Sequence, residues 1–386
     1  MNAEQLKAAH DAAESSPARL FRAPGRVNLV GEHTDYSGGF CMPAAINFET
    51  TIAASTRTDR TLKLRSADYN DTVEVDLDAL PMDRQGHWSG YCIGTAWSLR
   101  EAGIELPAAT LTITGNVPQG AGLSSSASLE VATTTALLAL AGRTLSGKEI
   151  AQVCQRAEND YVGAPVGIMD QFVSANGKAG SALILDTRAL TFDLAPIPSH
   201  LRLIIANSMV KHSLADGGAY ATRRREVEEG TAALNAYRYD IGLLRDATLE
   251  DLIACEGKMS PEAFKRCRHV ITDSQRVVDG LAQLRAGDIA AFGALLNDAH
   301  RSYRDDFEAS CAECDILAAI GQAQRGCYGS RLTGGGFGGC VVSVVEAEAS
   351  DNFVAAIKTE YLAQTGIAAE VYVCSTADGA SEITTA

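Results

Sequence analysis

The sequence predicts a mixed α and β protein of two domains, on three observations. Strand-like and helix-like patterns alternate along the chain, strand signals crowd its first half, and helix signals dominate its second. The 386-residue chain is also 46% apolar, enough to bury a sizeable core. At about 100–200 residues per domain this length suits two domains. The boundary is set near residue 200, dividing the chain into 1–200 and 201–386, although no low-complexity linker marks it. No internal repeat is visible.

Met1–Ser16 is polar and helix-prone, without the basic start and apolar middle of an export signal. Thr50–Arg57, Thr61–Ser66 and Thr110–Thr114 show the β-branched alternation of strands. Trp88–Ala102 and Ser146–Tyr161 space their apolar residues as helices do. Leu129–Ala141 is the most apolar long stretch, too short to span a bilayer, and reads as a buried helix. Ser181–Asp186, Ala189–Leu194 and Leu201–Asn207 read as strands, with a hairpin turn at Asp186–Arg188. From about Lys211 helices follow at Tyr220–Tyr237, Pro261–Arg285, Asp288–Tyr303 and Asp315–Arg325. Strands are predicted at Gly339–Val345 and Glu370–Val373, with a helix at Asp351–Gln364 between them.

Asp and Glu number 48 against 33 Lys and Arg, a net charge of −15. Such a surface repels polyanions and argues against nucleic-acid binding. It is compatible with a phosphate ligand, which needs only local amides, cations or a metal. The ten cysteines are scattered through a chain too long to need disulfide staples, so reduced cytoplasmic thiols are expected. Cys311-x-x-Cys314 has metal-like spacing but no second pair, and is read as two thiols on a helix.

The clearest chemistry lies in Pro118–Ser128. Gly120 and Gly122 let the backbone approach a ligand, so the amides from Gly120 through Ala121, Gly122 and Leu123 can face it. Ser124, Ser125 and Ser126 stand where a helix begins, and helix N-termini suit phosphate. An ordinary serine N-cap is the competing reading. No lysine follows the glycines, so this is not a Walker A loop.

Arg22–Tyr36 gathers Glu32, His33 and Asp35 within four residues, flanked by Gly31 and by Gly38-Gly39. Carboxylates and an imidazole on a loop suit a polyhydroxylated ligand, because a site built to bind hydroxyls rejects analogues without them. A solvated turn or a metal site would use the same residue types. Glu158 and Asp170 flank a Gly/Pro loop that could fold them together; spacing alone favours two surface carboxylates. Thr333–Cys340 formally contains G-x-G-x-x-G. A helix is expected before it and a strand after it, the reverse of a dinucleotide-binding unit, so that reading is rejected.

These strings resemble a known family. Pro118–Ala127 follows the Pro-x-x-x-Gly-Leu-x-Ser-Ser-Ala phosphate loop of the GHMP kinases (galactokinase, homoserine kinase, mevalonate kinase and phosphomevalonate kinase). Gly25–Tyr36 is similar to the galactokinase signature Gly-Arg-x-Asn-x-x-Gly-Glu-His-Thr-Asp-Tyr. Glu158 precedes the Asp of Gly167-Ile168-Met169-Asp170-Gln171 by twelve residues, as in galactokinases, and the late glycine loop resembles the third superfamily motif. The likeness runs from about Arg19 to Gly339.

The resemblance implies an α+β, two-domain GHMP kinase fold: an N-terminal mixed-sheet domain, a C-terminal α/β domain and an active site in the cleft. It implies ATP-dependent phosphorylation of the anomeric hydroxyl of galactose, the first committed step of the Leloir pathway. Asp170 would be the general base, with Arg26 beside it. Glu32, His33, Thr34, Asp35, Gly167 and Tyr220 would meet the sugar. The amides of Gly120–Ser126 would hold ATP, and Ser126 and Glu158 would hold Mg2+. The partners would be galactose and ATP, with no nucleic acid and no membrane, in a cytoplasmic monomer or weak homo-oligomer.

Asn207–Leu214 with Tyr220 resembles another galactokinase stretch, but Gly218-Ala219-Tyr220 stands where Ser-Glu-Tyr is usual. Arg223–Arg225 is read as a solvated helix face. Two other functions stay open here: a kinase of a related sugar such as galacturonate, arabinose or N-acetylgalactosamine, and a non-catalytic sugar sensor. The intact Ser126, Ala127, Glu158 and Asp170 favour catalysis over the sensor.

Overall fold

In the computed structural model, which describes residues 1–82, 86–211 and 218–384, the chain starts with α1 (Ala3–Asp11). A reciprocal capping box between Asn2 and Gln5 closes that helix. Next come β1 (Arg19–Asn28), β2 (Phe40–Cys41), β3 (Pro43–Thr56), β4 (Thr61–Ser66), β5 (Asp71–Asp76), α2 (Ser89–Glu101) and β6 (Ala109–Gly115). They are followed by α3 (Ser125–Leu140), α4 (Gly147–Arg156), α5 (Met169–Asn176), β7 (Ser181–Asp186), β8 (Thr191–Pro196) and β9 (Leu201–Lys211). The rest is α6 (Gly218–Tyr237), α7 (Leu249–Ala254), α8 (Pro261–Ala286), α9 (Ile289–Asp305), α10 (Ala312–Ala323), β10 (Cys327–Thr333), β11 (Gly338–Glu346), α11 (Ser350–Thr365), β12 (Glu370–Cys374) and β13 (Ser381–Ile383).

The strands form three sheets. The first has the order β13-β1-β3-β6-β4-β5 and is mixed, because β4 and β6 run parallel while the other neighbours are antiparallel. Phe21, Ile52, Leu64 and Leu111 of this sheet bury themselves against Val131 and Leu137 of α3 and Ile93 of α2. A second, antiparallel sheet has the order β10-β11-β9-β12, and a third joins β2, β7 and β8. A core of Val27, Leu29, Ala121, Leu123, Leu203 and Val342 ties the end of β1 and the Pro118–Ser128 loop to the second sheet. The two halves of the chain are thereby packed together where the predicted site residues lie. Among the described residues, no helix is long and apolar enough to cross a membrane.

Several elements differ from expectation for identifiable reasons. β1 carries Pro24, which a central strand seldom tolerates. Here β13 pairs only with Leu20–Arg22, so the strand edge at Pro24 is open. Helix serines satisfy its free carbonyls: Ser128 Oγ donates to Ala23 and Ser174 Oγ donates to Pro24. Those two bonds also dock α3 and α5 onto β1.

The single helix expected at Ser146–Tyr161 is α4 followed by a π-helical turn, Ala157–Val162, which carries Glu158. Widened turns of this kind are common at functional sites. The Thr333–Cys340 loop follows strand β10, not a helix, and is the turn of the β10–β11 hairpin. A strand still follows it, so the rejection of a dinucleotide site is unchanged. Cys311 is the N-cap of α10 with Cys314 in its first turn, and both thiols are free. His212, Ser213 and Leu214 of the Tyr220 stretch lie outside the described residues.

Candidate active site

The site begins at an irregularity in β1. The register with β3 shifts between Pro24 and Arg26, a bulge that re-aims the strand. The Arg26 amide donates to Leu123 O, joining this bulge to the Pro118–Ser128 loop. The Arg26 side chain reaches the first turn of α5. Its Nε donates to Asp170 Oδ1 at 2.8 Å and its Nη2 to Asp170 Oδ2 at 2.6 Å, a bidentate fork. Nη1 donates to Gly122 O. Arg26 is 6% exposed, whereas the Asp170 side chain is 30% exposed.

The Pro118–Ser128 loop is set by alternating backbone handedness. Gly120 and Gly122 have φ of 69° and Ser124 has φ of 61°. For serine this left-handed conformation is strained. The Ser124 hydroxyl does not cap α3; it donates to Asp170 Oδ2. The first amides of the 16-residue α3 are therefore left without a side-chain cap. This separates the loop from the ordinary serine N-cap. Ala121 and Leu123 bury their side chains in the core and offer only backbone to the site.

Ser126 neighbours Glu158, and its hydroxyl works to lower that carboxyl's pKa. Burial, then the nearby charge of Asp170, raises the Glu158 carboxyl to about 7. Gln171 Nε2 donates to Glu158 Oε2 at 2.6 Å and lies 3.2 Å from Glu130 Oε2. Glu130, fully buried, was not among the predicted site residues. Burial, then Glu158, pushes its carboxyl well above the usual range. A signal existed: Glu130 is the one charged residue in α3.

The carboxylates of the Arg22–Tyr36 string feel each other's charge. Burial and then Asp170 raise Asp35 to about 6, and Glu32 adds to that shift. Tyr220 is also raised, by burial and then by Asp35 and Asp170 among its neighbours. Gly167 explains itself sterically: a Cβ there would lie 1.6 Å from Asp35 Oδ2. Glu32, 3% exposed, accepts the Gly334 amide at 2.9 Å and stands 3.5 Å from Arg331 Nη1. Burial raises its pKa, against the opposing charge of Arg331.

Other predicted residues have their polar atoms engaged within the protein. Thr34 donates to Gly31 O and Phe40 O and closes the turn. His33 Nε2 lies 2.9 Å from Tyr303 Oη, and Nδ1 lies 3.1 Å from Tyr36 Oη. Because Tyr303 Oη donates to Gly334 O, His33 carries its proton on Nε2. Burial, then His269, lowers His33 to about 3, so it is neutral.

A cavity of about 290 Å³ opens beside the phosphate loop, walled by Tyr69, Trp88, Tyr91, Val117 and Leu129 and reaching Ser126. Its polar-tipped aromatic lining suits a planar heterocycle. In the sequence Trp88 and Tyr91 stand out only as residues of a helical stretch, since isolated aromatics give no motif.

Residues 8–56 match the Galactokinase galactose-binding signature, residues 90–178 the GHMP kinases N terminal domain and residues 281–363 the GHMP kinases C terminal. The chain is 41% identical over 367 residues to a galactokinase of Roseiflexus sp., covering 95% of this chain and 93% of that one. It is 42% identical over 365 residues to a galactokinase of Chloroflexus aggregans, with the same coverage. Among solved structures it resembles Lactococcus lactis galactokinase complexed with galactose, at a TM-score of 0.93 and 33% identity, covering 99% of this chain and 98% of that one. Methanococcus jannaschii mevalonate kinase shares the fold, with a TM-score of 0.66 at 20% identity, covering 94% of this chain and 99% of that one.

Proposed function

Because this chain belongs to the galactokinase family of GHMP kinases, we propose that Asp170 accepts the proton of the anomeric hydroxyl of galactose as that oxygen takes the γ-phosphoryl group of ATP. The activity itself is ATP-dependent phosphorylation of galactose. The observation that carries the reading is the Asp170 carboxylate, forked by Arg26, bonded by Ser124 and electrostatically coupled to Asp35. These contacts support a base that stands between the Pro118–Ser128 loop and the carboxylate of Asp35.

Asp35, Glu32 and Tyr220 orient the sugar through its hydroxyls, with Gly167 leaving room for Asp35. His33 and Thr34 serve the same loop from within, by fixing its shape. The amides of Gly120–Ser126 and the N-terminus of α3 hold the phosphates, and Arg26 offsets the charge that grows during transfer. Positioning and electrostatics carry this kind of reaction. The nucleobase lies in the cavity walled by Trp88 and Tyr91. The domains are taken as 1–200 and 201–386, with β13 returning to the first sheet, and the reduced cysteines suit the cytoplasm.

Ser126 and Glu158 fit magnesium: they are adjacent, both offer oxygen, and they adjoin the phosphate loop. Two protein oxygens suffice for an ion that keeps waters and takes phosphate ligands. Magnesium bound there supplies positive charge to the β- and γ-phosphate oxygens.

The test is a product analysis. Incubation with ATP, magnesium and galactose, followed by ³¹P NMR, should give ADP and a sugar phosphorylated only at C1. Phosphate at another carbon, or much faster turnover of galacturonate, arabinose or N-acetylgalactosamine, would overturn the substrate or the regiochemistry.

Two further results are expected. Trp88→Ala should raise KM for ATP about tenfold, the order of one lost aromatic stack, with kcat and KM for galactose nearly unchanged. An equal rise in both KM values would remove Trp88 from the nucleobase site. Secondly, the ionised form of Asp35 accepts sugar hydroxyls, and its pKa is raised to about 6. Protonation as pH falls through that value should therefore raise KM for galactose, and Asp35→Asn should abolish that limb of the profile.

A further inference from the structure

The loop that presents Glu32 is held in an unusual shape. Gly31 has φ of 90° and His33 φ of 59°. The histidine conformation is costly for a residue with a side chain. Gly31 is also packed too closely for a Cβ, which would lie 2.6 Å from Phe40 O and 2.8 Å from Val277 of α8. This backbone turns the amides of Gly31 and Glu32, both buried residues, inward together.

Both amides end on one atom. Asp273 Oδ2, from α8, accepts Gly31 N at 2.9 Å and Glu32 N at 2.9 Å. Asp273 is 0% exposed, and its other oxygen accepts Arg276 Nη1 at 3.1 Å. From β10, Arg331 completes the frame: it is 0% exposed, donates from Nη1 to Leu29 O and faces Glu32. Asp273 touches no residue of the phosphate loop in these bonds.

We propose that Asp273 is a positioning residue for galactose: by accepting the Gly31 and Glu32 amides on one oxygen, it holds the strained loop that presents Glu32 to the sugar. Without it two buried amides lose their acceptor, and the left-handed turn loses two of the bonds that offset its strain. This inference rests on the reading that Glu32 binds the sugar.

The experiment is calorimetric titration with galactose and, separately, with ADP. Asp273→Ala should weaken galactose binding about 30-fold or more, the scale of two unpaired buried donors, and leave ADP binding within about twofold. Asp273→Asn keeps a carbonyl oxygen for the two amides and should recover most of that loss. Equal losses for galactose and ADP, the mark of general unfolding, would overturn the proposal, as would unchanged galactose affinity.

Should the alanine variant not fold, Asp273→Asn decides alone. Its smaller, galactose-specific loss should shrink when measured on a Glu32→Gln background, because the two residues act through one loop. A full additive loss would contradict that. The failures are separable. Glu32→Gln with unchanged galactose binding removes Glu32 from the sugar site, whereas a Glu32→Gln loss beside an unaffected Asp273→Ala overturns only the role of Asp273.

Discussion

Asp170→Asn should bind galactose and ATP nearly as well as the native protein and lose about a thousandfold in turnover. The substitution keeps size and keeps an oxygen for the Ser124 hydroxyl, which otherwise donates to Asp170 Oδ2. It removes the negative charge that the Arg26 fork meets. Phosphoryl transfer passes through a loose transition state, so the proton can leave late and the base need not be strong. Asp35 is the rival base, since its pKa is raised to about 6. The two are distinguished by where the loss falls. Asp170→Asn should act on kcat, and Asp35→Asn mainly on KM for galactose. Near-native kcat in Asp170→Asn would move the base elsewhere.

Gly167→Ala should lower kcat/KM for galactose about a hundredfold, the usual effect of displacing a binding group by an ångström or so. The added Cβ would stand 1.6 Å from Asp35 Oδ2 and 2.4 Å from its Cγ, so the carboxyl must leave its position. Gly167 is half-buried in a loop, which limits the effect on folding. KM for ATP should hardly change, because Gly167 does not line the cavity walled by Trp88 and Tyr91. A variant with native kinetics toward galactose would show that Asp35 has no part in sugar binding.

How much of this was legible depended on whether the signal was local. β4 and β7 occupy the spans their alternation predicts, Thr61–Ser66 and Ser181–Asp186. β1 was hidden because Pro24, Gly25 and three arginines interrupt any strand pattern, and only its open edge makes the proline tolerable. β10 was hidden by Gly329, which packs on Gly293 of α9 so closely that a Cβ would meet its carbonyl at 2.2 Å, and by the buried Arg331.

The site divides in the same way. Glu32, Asp35, Glu158 and Asp170 sit in contiguous strings whose likeness could be read. Asp273, Arg331, Trp88 and Tyr91 are single residues that only the tertiary fold brings into place. Glu130 falls between, since a lone charge in an apolar helix is visible in the sequence but its partner, Glu158, is not.

A crystal structure with galactose and a non-hydrolysable ATP analogue is the decisive measurement. The anomeric oxygen should lie within hydrogen-bonding distance of the Asp170 carboxylate and face the γ-phosphorus, with the sugar's other hydroxyls on Asp35 and Glu32. A sugar bound with its anomeric oxygen turned away from Asp170, or outside the reach of Asp35, would contradict the proposed chemistry.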